Sequence, residues 1–157
     1  MSKNNFNLEI RSVASLKPGM KIPEKTYSFD TSHIFMFSAI TWNRHKIHYD
    51  LNEAKKEGHT NILVQRGLVG NIFSQFINSS FVDVYIMKLN WRMFSSANPN
   101  DPLKCFGEIT NYQENDSSNI ITLSLTLLNQ NGDKISESEA NIRKLENWDI
   151  TTPLTSS

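Results

Sequence analysis

Apolar residues recur along this chain with two different periods, and each period predicts a different element. From Leu68 to Ile77 the residues Leu68, Val69, Ile72, Phe73, Phe76 and Ile77 are apolar at three-to-four spacing. That is the pattern of a helix with a broad buried stripe, and it predicts a core helix starting just after Gly67. From Ile121 to Leu127 the apolar residues alternate with Thr122, Ser124 and Thr126, as in a half-buried strand. Phe81 to Met93 predicts a long strand with Phe81, Tyr85, Met87, Leu89, Trp91 and Met93 on one face, and Leu103 to Tyr112 predicts another. Asn131-Gly132 then predicts a type I′ hairpin turn into a strand over Lys134 to Arg143.

The first half carries stop and start signals. Lys17-Pro18-Gly19 marks a turn before a strand over Ile22 to Phe29, and Asp30 or Thr31 is placed to cap a helix over Ser32 to Ile40. Asp50 and Glu53 have capping-box spacing ahead of a short helix that Gly58 ends. The tail after Trp148 reads as frayed. Early helices followed by a meander of long strands define an α+β chain, with one apolar helix to be covered by one antiparallel sheet. No repeat or low-complexity segment is visible, and a single domain over residues 1–157 is expected.

Composition narrows the function. Sixteen basic and sixteen acidic residues leave a formal net charge of +0, so no basic field draws in nucleic acid. The apolar runs fall far short of the roughly 20 residues that cross a bilayer, and the Met-Ser-Lys-Asn-Asn start lacks a signal-peptide apolar region. A cytoplasmic protein without membrane partners is the expectation. Cys105 is the lone cysteine, so it has no internal disulfide partner and reads as a small strand residue.

The chemistry concentrates in Asn43-Arg44-His45-Lys46-Ile47-His48-Tyr49-Asp50, where two histidines, an amide and a carboxylate fall within eight residues. Histidine exchanges protons most readily near neutral pH. Zinc is disfavoured: His45 and His48 with His33 or His59 lack the spaced ligand pairs and supporting Cys or carboxylates of a zinc motif, and no cofactor is expected.

Read from Phe37, the run Phe-Ser-Ala-Ile-Thr-Trp-Asn-Arg-His-Lys-Ile-His-Tyr-Asp resembles the hydratase segment of MaoC-like, hot-dog-fold acyl-thioester dehydratases. It is most similar to the branch with Asn-x-His-[Arg/Lys]-Ile-His-Tyr-Asp, found in mesaconyl-CoA hydratases and mitochondrial-type 3-hydroxyacyl-thioester dehydratases. A second block, Leu63-Val64-Gln65-Arg66-Gly67-Leu68, resembles the Val-[His/Gln]-Gly-Pro-Leu entry to the central hot-dog helix. The two blocks cover Phe37 to Ile77.

The resemblance implies a hot-dog domain, at least dimeric, that reversibly hydrates a 2-enoyl thioester of CoA or, second, of acyl carrier protein. Such chemistry needs a base for water, a proton for the α-carbon and donors for the developing enolate oxygen. The broader family supplies an Asp and a His five positions apart. Here Asn43 stands at the Asp position and His48 at the His. A neutral amide is no base, though it can hold a water or the substrate carbonyl. Either His45 takes the second proton role, or His48 works in both directions, or activity is lost; the branch pattern favours the first. The helix start supplies the oxyanion site through Gly67 and Leu68, with Arg66 or Gly67 on the family glycine depending on register. Gln65 is a candidate for binding substrate or the histidine loop, and equally a turn residue. Arg44 is a candidate for the phosphates or second carboxylate of an acyl-CoA, and Tyr49 for positioning His48 beside the substrate. Asp50 reads as a helix cap. Two other functions stay open: a thioesterase, which usually needs a carboxylate near the core helix where Asn61 to Ser80 has none, and a non-catalytic acyl-thioester binding or assembly module, for which Asn43 is the best argument.

Overall fold

A computed structural model of the chain describes residues 17–115 and 118–144. The expected frayed tail after Trp148 lies outside the described residues. The order is β1 (Lys21–Tyr27), α1 (Thr31–Thr41), a single 3-10 turn at Lys46–His48, α2 (Leu51–Lys56), α3 (Arg66–Ser80), β2 (Val84–Met93), β3 (Leu103–Asn115), β4 (Ser118–Leu128) and β5 (Lys134–Lys144). All five strands pair antiparallel in the order β1-β3-β4-β5-β2, so β1 and β2 are the edges.

The sheet wraps α3. Leu68, Val69, Ile72, Phe73, Phe76 and Ile77 are all buried against Leu103, Cys105 and Ile109 of β3, the inward row Ile121, Leu123, Leu125 and Leu127 of β4, and Ala140 and Ile142 of β5. At roughly 1.5–3 kcal/mol per fully buried large apolar side chain, this single cluster is the main source of stability. Burial also pushes the Cys105 thiol up to about 12, so it stays protonated as a small apolar residue.

The caps follow the sequence. Asp30 Oδ1 accepts from the His33 backbone N–H at 2.9 Å and starts α1, and Asp50 Oδ1 accepts from the N–H groups of Asn52 and Glu53 at 2.9 and 3.2 Å and starts α2. Gly58, at φ +86, follows the end of α2.

Three expectations are corrected. α3 begins at Arg66 rather than after Gly67, because Val69 N–H already closes the first turn on the Gln65 carbonyl at 3.0 Å. The strand from Phe81 starts at Val84 and does not keep one face inward. A register shift between Ile86 and Lys88 inserts an extra residue, so Val84 and Ile86 face the core before it and Leu89 and Met93 after it. Tyr85 and Met87 are left exposed. The turn between β4 and β5 is not type I′. Gly132 alone has positive φ, and Gly132 N–H bonds the Asn129 carbonyl at 3.1 Å while Asn129 N–H bonds the Asp133 carbonyl at 3.0 Å. This is the longer hairpin with a single left-handed glycine, and the Asn129 side-chain oxygen satisfies two of its N–H groups, those of Asn131 and Asp133.

Candidate active site

Trp42 ends α1 in the left-handed region at φ 55, an uncommon state for a bulky residue, and this turns the chain into the histidine loop. Asn43 then shapes the loop: its side-chain oxygen accepts the His45 N–H at 3.1 Å, and its own N–H bonds the Ser38 carbonyl at 2.9 Å. The Tyr49 hydroxyl donates to the Arg44 carbonyl at 2.9 Å and braces the loop from the other end.

The 3-10 turn buries His48. Its Nδ1 lies 2.9 Å from the Leu63 carbonyl oxygen, and Leu63 N–H bonds the Ile47 carbonyl at 3.0 Å. A carbonyl only accepts, so Nδ1 carries the proton and Nε2 keeps its lone pair. Burial lowers the His48 pKa, the Leu63 bond opposes that, and nearby His45 lowers it further. The ring is therefore held neutral and basic at Nε2.

His45 lies with its ring centre 6.0 Å from that of His48. Its Nε2 is 3.7 Å from Glu57 Oε1, a carboxylate at the end of α2 that the loop motif does not contain.

The strand-free approach Leu63–Gln65 delivers the chain to α3. Gln65 is the residue before the helix, yet its side chain does not cap it. The Gln65 amide nitrogen donates instead to the Ile34 carbonyl at 2.6 Å and Ser38 Oγ at 2.7 Å, tying α1 to α3. Gln65 Oε1 is buried without a protein partner. With no side-chain cap, the N–H groups of Arg66, Gly67 and Leu68 at the start of α3 lack helical partners and sit at the positive end of its dipole.

A cavity of about 320 Å³ joins these parts: it is lined by His48, Leu63, Val64 and Arg66 on one side and by Met93, Phe94, Ser95 and Ser96 on the other. Arg44 and Tyr49 lie elsewhere. Arg44 stacks its guanidinium 5.0 Å from the exposed Trp42 ring, and Tyr49 lines a second cavity, about 510 Å³, with Phe35, Met36, Leu51 and Ile62. Ser95, Ser96 and Glu57 were missed by sequence reasoning. Ser95-Ser96 shows in sequence only as a break after a strand, and its place beside His48 follows from how β2 packs along α3.

Residues 9–99 match the family model described as hydroxyacyl-thioester dehydratase type 2. The chain belongs to the hydroxyacyl-thioester dehydratase type 2 family. The match contains the histidine loop, the start of α3 and all of β2, so every wall of the cavity falls within it. Among curated proteins, none matches the chain. Among solved structures, this dehydratase-family chain is similar to the unliganded R-hydratase PhaJ1 from Pseudomonas aeruginosa, with TM-score 0.76, 21% identity and 85% of each chain covered. It is also similar to the (R)-hydratase from A. caviae involved in PHA biosynthesis, with TM-score 0.74, 20% identity, and 84% of this chain and 98% of that one covered. A third is the MaoC-like dehydratase from Rhodospirillum rubrum, with TM-score 0.74, 15% identity, and 86% and 97% covered. The fold is the hot-dog of these proteins. Among the described residues, no helix is long and apolar enough to cross a membrane.

Proposed function

We propose that this chain is a hydro-lyase that reversibly hydrates a 2-enoyl thioester to the 3-hydroxyacyl thioester, acting on CoA esters in preference to those of acyl carrier protein. The observation that carries the reading is the His48–Leu63 bond, which leaves a neutral imidazole with a free Nε2 in the cavity that also receives the unpartnered start of α3. Family membership agrees with it.

The chemistry follows from those two groups. His48 Nε2 takes a proton from water as the oxygen bonds to the β-carbon. The π electrons move through the α-carbon to the thioester oxygen, where the N–H groups of Arg66, Gly67 and Leu68 stabilise the enolate. Collapse of the enolate takes a proton at the α-carbon, from His45 or back from His48. Asn43 has its side-chain oxygen engaged in the loop, so its NH₂ group is what it can offer to water or substrate. Gln65 supports the site by fixing α1 against α3, and the Tyr49–Arg44 bond supports it by bracing the histidine loop. Among the described residues no carboxylate lines the cavity, which favours hydration over thioester hydrolysis.

The domain works as a dimer or higher even oligomer. β2 is an edge strand with Tyr85 and Met87 exposed on it, and a ten-residue unpaired edge is a ready template for pairing with a second copy. The test is hydration of trans-2-enoyl-CoA substrates, followed by loss of the conjugated thioester absorbance, with wild type and His48→Ala side by side. Turnover abolished in the variant supports the reading; hydrolysis to free CoA without hydration replaces it with a thioesterase.

A further inference from the structure

The cavity beside His48 runs between the first turn of α3 and the end of β2, with Arg66 on one wall and Met93 on the other. One helical turn beyond Arg66 stands Gly70, and two residues back from Met93, on the same strand face, stands Trp91. Trp91, itself 38% exposed, packs on Gly70 just beyond the residues that line the cavity. A Cβ built on Gly70 would lie 2.4 Å from Trp91 Cε2 and 2.7 Å from Cζ2, so the indole fills the space that a side chain at this helix position needs. The next α3 position on that face is Ser74, another small residue, whose hydroxyl is already bonded to the Asn71 carbonyl at 2.9 Å.

We propose that Trp91 is the end stop of the acyl pocket and sets the chain length that the enzyme accepts. This rests on the hydratase reading. With the thioester oxygen at the start of α3 and the β-carbon at His48, the acyl tail points along the groove toward Gly70. Four residues of helix rise only roughly 6 Å, the span of a few carbon–carbon bonds, before the indole blocks the way. The preferred substrates are therefore short 2-enoyl thioesters, and longer chains are rejected by contact with one side chain. Each methylene that an opened groove buries is worth roughly a fourfold gain in affinity.

The test compares wild type, Trp91→Leu and Trp91→Phe, each first shown to be folded by its thermal melt. For each, the ratio of kcat/KM for trans-2-decenoyl-CoA to that for crotonyl-CoA is measured. In parallel, calorimetry gives the affinity ratio for the matching ten- and four-carbon S-alkyl-CoA thioethers, which bind but are not turned over. The expected result is a rise of about tenfold or more in both ratios for Trp91→Leu, with Trp91→Phe in between. Unchanged ratios in folded variants overturn the proposal. If no enoyl thioester is hydrated at all, the hydratase reading fails, and the thioether ratios alone still decide whether Trp91 limits the pocket.

Discussion

The imidazole of His48 hangs from the carbonyl of Leu63, 2.9 Å from Nδ1, and Leu63 in turn hangs from Ile47 through its own N–H at 3.0 Å. This pairing joins the histidine loop to the segment that opens α3, so the imidazole is tied to the approach to the helix start. It also fixes the tautomer. The base chemistry proposed for His48 depends on that one proton.

The pH profile should report it. Burial and the neighbouring His45 lower the His48 pKa, and a base acts in its deprotonated form. The acid limb of kcat/KM should therefore fall below the ordinary imidazole value of about 6.5, with full activity above it. Stability has the same sign: the unfolded chain takes up the proton first as pH falls, so His48 weakens the fold as pH drops below about 6.5. Replacing His48 by Asn, which keeps an N–H donor for Leu63, should remove that part of the acid sensitivity. Melting curves at pH 7 and pH 5 check this, and an equal loss in both proteins would remove His48 as the cause.

Much of the fold was legible in the chain because burial was periodic. The α3 stripe and the β4 alternation each point one way, and each is buried as expected. β2 was less legible, since a register shift at Met87 exchanges its faces and leaves no mark in composition. The turn at Asn129–Gly132 misled for a related reason: Asn-Gly fits several hairpin loops, and the bonds made by Asn129 decide among them. At the site, the histidines were visible as a local cluster. Glu57 and Ser95–Ser96 were not, because they reach the site only through tertiary packing.

The roles proposed for Asn43 and His45 can be tested separately. Asn43→Ala should reduce kcat through a looser loop, since the amide holds the His45 N–H. His45→Ala should also lower kcat if His45 supplies the α-proton. Asn43→Asp places a carboxylate in the histidine loop, which should favour the protonated form of the base and move the acid limb upward. Steady-state pH profiles of the three variants check this; if all match wild type, neither residue belongs to the proton path.

Gly70 is required by the ring that lies on it. Gly70→Ala should destabilise the wild type by about 1–3 kcal/mol, because its Cβ meets Trp91 at 2.4 Å. In a Trp91→Leu background the same change should be close to neutral. A double-mutant cycle by denaturant unfolding measures the coupling, and additive effects would mean that the indole does not occupy this space.

Assembly should be visible in mass. Light scattering during size exclusion should give twice 18.0 kDa or a higher even multiple. Met87→Asp, which puts a charge on the exposed β2 edge, should shift the population toward monomer. A concentration-independent wild-type monomer with full activity would refute the edge pairing.

The most direct measurement is turnover of a trans-2-enoyl-CoA by wild type and His48→Asn at pH 7.5, with substrate-analogue binding measured on both. The account predicts that the variant stays folded, binds the analogue within a few fold of wild type, and loses at least about a hundredfold in kcat. A folded His48→Asn enzyme with near-normal hydration would contradict it.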